Sequence, residues 1–187
     1  CWIMSTKSSG PAGADKLPAD VAATRRFAVL DFAQVCIAVA ERDIQTLEPV
    51  LDVERQGGVG RAAGVLRAEG GTCPVHALTS DLDPLPDIPD DHHICVVLRH
   101  PAGNVGIACR DVRAVDAQQL VLSALPDCYA ANATPLRALG ILGHRVVAVA
   151  SVRDLVARLA LCDTLPDSVS EGASALDLLD PGAVAAG

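Results

Sequence analysis

Residues 64–78 constrain this chain more than any other stretch. Gly64-Val65-Leu66-Arg67-Ala68 is an extended, largely apolar segment, Glu69-Gly70-Gly71 is a glycine turn, and Thr72-Cys73-Pro74-Val75-His76-Ala77-Leu78 is a second extended segment with an internal proline. Glycine supplies the backbone angles a tight turn needs, and proline is incompatible with a helix interior. The stretch therefore reads as strand, turn, strand. Two similar signals follow downstream. Gly103-Asn104 leads into Val105-Gly106-Ile107-Ala108-Cys109, and Ile141 to Val149 is broken by Gly143-His144. A chain punctuated this way folds as an array of short strands.

The remaining segments fit around these hairpins. Phe27 to Phe32 and Val35 to Val39 read as strands separated by a turn at Ala33-Gln34. Glu41 to Glu48 sets Ile44 and Leu47 at helical spacing, which predicts two helical turns ended by Pro49, with Val50 to Val53 as the next strand. Gln56 to Gly60 is a glycine-rich loop, and His93 to Leu98 is a β-branched, buried strand. Pro84, Pro86 and Pro89 exclude a helix or central strand between Asp81 and Asp91, so about 81–91 is expected to be an exposed link between two lobes. Residues 111–125 give mixed signals, and 124–139 read as mostly irregular. Arg145 to Ala150 is a last strand. Ser151 then caps a helix from Val152 to Leu161, with Val152, Leu155, Val156 and Leu159 on one face. Residues 1–24 lack periodicity and are expected to be a disordered tail, 25–162 form the folded body, and 163–187 are an acidic tail with a helical turn suggested at Ala175 to Leu179. Turn signals every ~8–12 residues with few helices indicate a mainly β chain built from small barrels.

Composition narrows the function. Aromatic residues are 2% of the chain and the net charge is −8, which disfavours base stacking and repels phosphate backbones and anionic lipid. Nucleic acid and direct membrane contact are therefore not expected. Residues 163–187 carry Asp163, Asp167, Glu171, Asp177 and Asp180 with no Lys or Arg, so five of the eight net charges lie there. The seven cysteines are odd in number, irregularly spaced and mostly within apolar runs, which predicts free buried thiols in a reducing cytoplasm.

Candidate chemistry is sparse. Cys73, His76, His92, His93 and Cys95 offer metal-ligating atoms within a short stretch, and a small β-barrel metal protein or enzyme using them is one alternative reading. Strand alternation, however, sends Cys73 and His76 to opposite faces. No Gly-x-Ser-x-Gly elbow presents a serine nucleophile, and Gly57-Gly58-Val59-Gly60-Arg61 lacks the Lys-Ser/Thr ending of a phosphate loop. Cys109 beside Arg110 reads as a core residue of its strand rather than an activated thiolate. No catalytic residue, metal or cofactor is expected.

The three hairpin motifs, in this order, resemble the CheW-like coupling domain of bacterial chemosensory arrays over roughly residues 26–161. Gly64, Val65, Leu66, Gly70, Pro74, Val75 and Leu78 stand at the places of the family's hairpin segment. Val105-Gly106-Ile107-Ala108 matches its second-lobe strand, and Gly143 to Leu161 its closing turn, strand and helix. The resemblance implies two interwoven SH3-like five-stranded barrels with a short C-terminal helix and no active site. It implies a non-catalytic adaptor that couples the regulatory domain of a CheA-type histidine kinase to the cytoplasmic tip of a chemoreceptor, alongside other CheW-like proteins, in chemotaxis or pilus-based twitching motility. An inhibitor of array assembly with the same fold is a further alternative. The partner-binding residues implied are Val65, Arg67, Glu69, Gly70 and Pro74. Glu69 stands where the family has arginine and Arg67 where it has asparagine. The two lie on one face of a strand, where they are expected to contact each other.

Overall fold

The computed structural model describes residues 17–55, 62–68, 71–126, 129 and 134–164. Strands dominate. The first sheet holds β1 (Arg26–Asp31), β2 (Cys36–Ala40), β10 (Asp111–Asp116), β11 (Val121–Ala124), β12 (Leu136–Leu142) and β13 (Arg145–Ala150). The second holds β3 (Ile44–Pro49), β4 (Val53–Arg55), β5 (Gly64–Ala68), β6 (Gly71–Leu78), β7 (Pro84–Leu85), β8 (Ile94–Leu98) and β9 (Val105–Cys109). One helical turn, α1 (Ala19–Ala22), precedes β1, and α2 (Val152–Thr164) follows β13.

The sheets are interwoven along the chain. Strands run β10-β1-β2-β13-β12-β11 in the first and β3-β8-β9-β6-β5-β4 in the second, with β7 added on β6. The chain leaves the first sheet after β2 through a 3-10 turn at Glu41–Asp43 and returns after β9 at Arg110. In each sheet the two terminal strands are neighbours in sequence. Single 3-10 turns, Ala117–Gln119 and Val50–Asp52, join β10 to β11 and β3 to β4. Such short connections between opposite edges require curled sheets. The expected mainly β architecture with a short C-terminal helix is present, in sheets of six and seven strands rather than five.

Burial explains why four strands read as unbroken apolar runs. Phe27 and Val29 of β1 and Cys36 and Ala38 of β2 fill the interior of the first sheet, together with Val115, Val147 and Val149. Cys95 and Val97 of β8 and Ala108 of β9 fill the second with Leu66, Val75 and Ile88. The alternate residues Ala28, Leu30, Ile37, Val39, Val96, Leu98 and Ile107 form a third core between the sheets. Strands covered on both faces cannot alternate apolar and polar. The helix α2 contributes Val152, Leu155, Val156 and Leu159 to that central core, the face expected of it. Its start is capped as expected: the Asp154 N–H donates to Ser151 Oγ at 3.4 Å.

Four expectations meet a different structure. Val50 to Val53, expected as a strand, is a 3-10 turn at Val50–Asp52, with the strand beginning only at Val53. Glu41 to Glu48 is a 3-10 turn followed by strand β3, antiparallel to β8. The spacing of Ile44 and Leu47 mimics a helix, but Leu47 alternates outward and is 50% exposed. Segment 81–91 does not link the sheets, because β6 and β8 on either side of it belong to the same one. It folds back: β7 pairs with β6, Leu82 and Ile88 are buried, and Asp83 accepts a 2.8 Å bond from Arg158 of α2. Residues 19–22, placed in the N-terminal tail, form α1, and Val21 is buried against Phe27 and the first core. The acidic tail beyond Thr164 lies outside the described residues.

Candidate partner-docking face

The β4–β5–β6 edge carries three of the five residues singled out in the sequence. Alternation along β5 turns Leu66 inward, 3% exposed, and Val65 and Arg67 outward. On β6, Cys73, Val75 and Ala77 enter the second core, so Pro74 shares the outer face. The registers Glu54↔Val65 and Val65↔Pro74 align these side chains in one row across three strands. Pro74 lies one residue before the β6–β9 ladder begins at Val75↔Gly106, a position suited to a residue that donates no N–H. Ala68 pairs with Gly71, so the hairpin connection is the two residues Glu69-Gly70, which lie outside the described residues. Gly71 has φ +121, a conformation that only glycine adopts readily.

Arg67 has a partner the sequence did not reveal. Its Nε lies 2.9 Å from Glu54 Oε1, and its Nη2 donates to Oε2 at 3.1 Å. The fork spans β5 to β4. Glu54 carries no local signal, since its role depends on a pairing set by folding. Leu51, in the turn between β3 and β4, is 96% exposed, and Leu47 on β3, the opposite edge of the sheet, is half-exposed.

A second exposed apolar row crosses the other sheet. Val121 lies opposite Ile141, and Ile141 opposite Val146, on β11, β12 and β13. Their exposures are 67%, 48% and 65%. Contiguous aliphatic side chains of this kind on a surface mark interaction sites more often than isolated ones do.

The Cys/His set is dispersed. Cys73 and Cys95 belong to the second core, His76 is 1% exposed on the opposite face of β6, and His92 packs edge-on against Phe32 with ring centroids 6.1 Å apart. His93 is exposed. Among the described residues no three His, Cys, Asp or Glu side chains converge to hold a metal. Burial pushes the thiols of Cys95 and Cys109 up to about 12, so both are protonated at neutral pH and are poor nucleophiles or ligands. No described helix is long and apolar enough to cross a membrane.

One ion pair of the first sheet reaches across β2, from β13 to β1. Arg145 at the start of β13 donates to Asp31 at the end of β1 at 2.8 Å. This guanidinium holds the Asp31 carboxyl below its ordinary value, against the opposing effect of desolvation, and the Ala33 N–H bonded to Asp31 Oδ1 acts in the same direction as Arg145.

No family model matches the sequence, and no curated protein matches it. A solved structure does match: the crystal structure of the scaffolding protein TtCheW from Thermoanaerobacter tengcongensis, at TM-score 0.54 and 12% identity, covering 71% of this chain and 92% of that one. At that identity the likeness is one of fold. The chain has a CheW-like fold.

Proposed function

We propose that this chain is a non-catalytic cytoplasmic adaptor in a bacterial chemosensory array, serving chemotaxis or pilus-based motility. The observation that carries the reading is the fold likeness to a scaffolding protein, which spans nearly the whole of that chain. Two separate exposed surfaces, one on each sheet, support it, because a bridging protein must hold two partners at once. The first is the β4–β6 face with Val65, Arg67 and Pro74, next to Glu69 and Gly70. It docks the regulatory domain of a CheA-type histidine kinase through a strand edge, aliphatic contact and a fixed charge pair. The second, around Val121, Ile141 and Val146, is left for another CheW-like protein, and chemoreceptor tips are the remaining partner class.

The test is titration calorimetry against the regulatory domain of the CheA-type kinase encoded in the same genome. Micromolar binding that Arg67→Glu weakens by tenfold or more is the expected result. An absence of heat at hundreds of micromolar overturns the kinase assignment and leaves only the fold.

A further inference from the structure

A cleft of about 460 Å³ opens where the two sheets, α1 and the start of α2 meet. It is lined by basic groups from four separate places in the chain: Arg42 of the turn after β2, Arg99 just past β8, Arg137 of β12 and Arg153 in the first turn of α2. Asp20 and Asp43 are the acidic residues of the lining, and Asp154, the next residue after Arg153, pairs with Arg137, so four arginines less three aspartates leave +1 here on a chain whose net charge is −8. Folding has gathered positive charge here against the composition.

The arginines differ in what holds them. Arg137 is paired with Asp154, and Arg42 lies 3.9 Å from Asp43. Arg99 and Arg153 form no ion pair among the described residues. His100 lines the same cleft, and its Nδ1 accepts the Ala102 N–H at 3.2 Å. That bond leaves Nε2 as the ring's donor in the neutral form. Val152 and Arg153 are the first two residues of a 13-residue helix and also line the cleft. Amides in a first helical turn have no intrahelical acceptor and carry the positive end of the helix dipole. Guanidinium forks, an imidazole N–H and a helix start are all donors, and their shared complement is a compact, multiply charged oxyanion. A phosphoryl group presents three acceptor oxygens and a charge of nearly −2, more than a single carboxylate offers to several donors, and Arg99 and Arg153 are the two arginines of the lining left to meet it.

We propose that this cleft is a binding site for a phosphoryl anion, either free phosphate or pyrophosphate or the phosphate end of a nucleotide, with Arg99 and Arg153 as its principal ligands. The volume admits either, since small-molecule sites fall in the range of about 300–1,000 Å³. The lining of the cleft shares no residue with the Val65–Arg67–Pro74 face or with the Val121–Ile141–Val146 row.

Calorimetry of the full chain with pyrophosphate, at constant ionic strength and with no partner protein present, tests this. Binding is expected, with a matching rise in the melting temperature over equal ionic strength of sodium chloride. Arg99→Ala and Arg153→Ala should each weaken it roughly tenfold or more, the size expected for losing a charged hydrogen bond. Arg99→Lys, which keeps the charge and loses the fork, should fall between. Arg113→Ala, outside the cleft, should change nothing. ADP binding more tightly than pyrophosphate assigns the site to nucleotides, and equal or weaker binding assigns it to the free anion. No heat and no melting shift at millimolar pyrophosphate, equal binding by citrate, or equal weakening by Arg113→Ala would each overturn the proposal.

Discussion

Arg67 and Glu54 grip each other in a two-pronged contact across the β4–β5 seam, Nε to Oε1 at 2.9 Å and Nη2 to Oε2 at 3.1 Å. Both side chains are largely in water, 74% and 59% exposed, so the pair contributes little to folding. Its effect is positional. The fork holds a guanidinium beside Val65 and Pro74, in a place that a free arginine would leave for most of the time. Arg67→Ala is expected to lower the unfolding free energy by less than ~1 kcal/mol in urea melts, while weakening kinase-domain binding tenfold or more. Glu54→Gln should show a smaller loss of binding, because it frees Arg67 without removing it. A loss of several kcal/mol from either variant would make the pair a structural element instead.

Asp31 makes acid stability testable. Its carboxyl is depressed first by the Arg145 hydrogen bond. A group depressed on folding stabilises the native state above its unfolded value, and that contribution is lost as pH falls through the folded value. Wild type is therefore expected to exceed Asp31→Asn in stability at neutral pH, and the difference should shrink only below the ordinary aspartate value of 3.8. Chemical denaturation across that acid range measures it. A gap that is already closed at neutral pH would mean that the Arg145 contact contributes nothing in solution.

The parts of this fold that were legible in the sequence are those whose burial is local or symmetric. The strands β1, β2, β8 and β9 announce themselves because both faces are covered. The β12–β13 hairpin is marked by Gly143, whose φ is +61, and α2 by its cap and its apolar stripe. What was hidden depends on distant partners. Ile44 and Leu47 look helical until β8, some fifty residues on, supplies a ladder. β10 shows only Val115 buried along its length, so it carries almost no period. The same holds at the site. Val65, Arg67 and Pro74 stood out from the hairpin, whereas Glu54 and the Val121–Ile141–Val146 row are brought to their places by registers that no local pattern encodes.

Gly106 sits where β6 and β8 crowd the intervening strand β9. A Cβ there would meet Cys95 Sγ at 2.8 Å and Val75 Cγ2 at 2.9 Å. Both neighbours are fully buried and cannot swing away. Gly106→Ala is expected to destabilise the chain by about 1–3 kcal/mol, the usual cost of overpacking. Adding Cys95→Ala should recover part of that, because it removes the nearer of the two atoms. Urea melts of the two single variants and the double give the coupling. Strict additivity would show that the strand shifts to accommodate the methyl.

The two exposed faces make separable predictions, since they lie on different sheets. Ile141 is the middle of the Val121–Ile141–Val146 row and is 48% exposed. Ile141→Asp should leave the fold nearly intact, because an exposed position loses little burial. It should also leave kinase-domain binding within twofold of wild type, while reducing binding to a second CheW-like protein or to this chain itself. Arg67→Glu should show the reverse pattern. Sedimentation of the chain alone, then of its mixtures with each partner, separates the outcomes. If Ile141→Asp and Arg67→Glu abolish the same complex to the same degree, the two faces belong to a single interface and the chain holds one partner rather than bridging two.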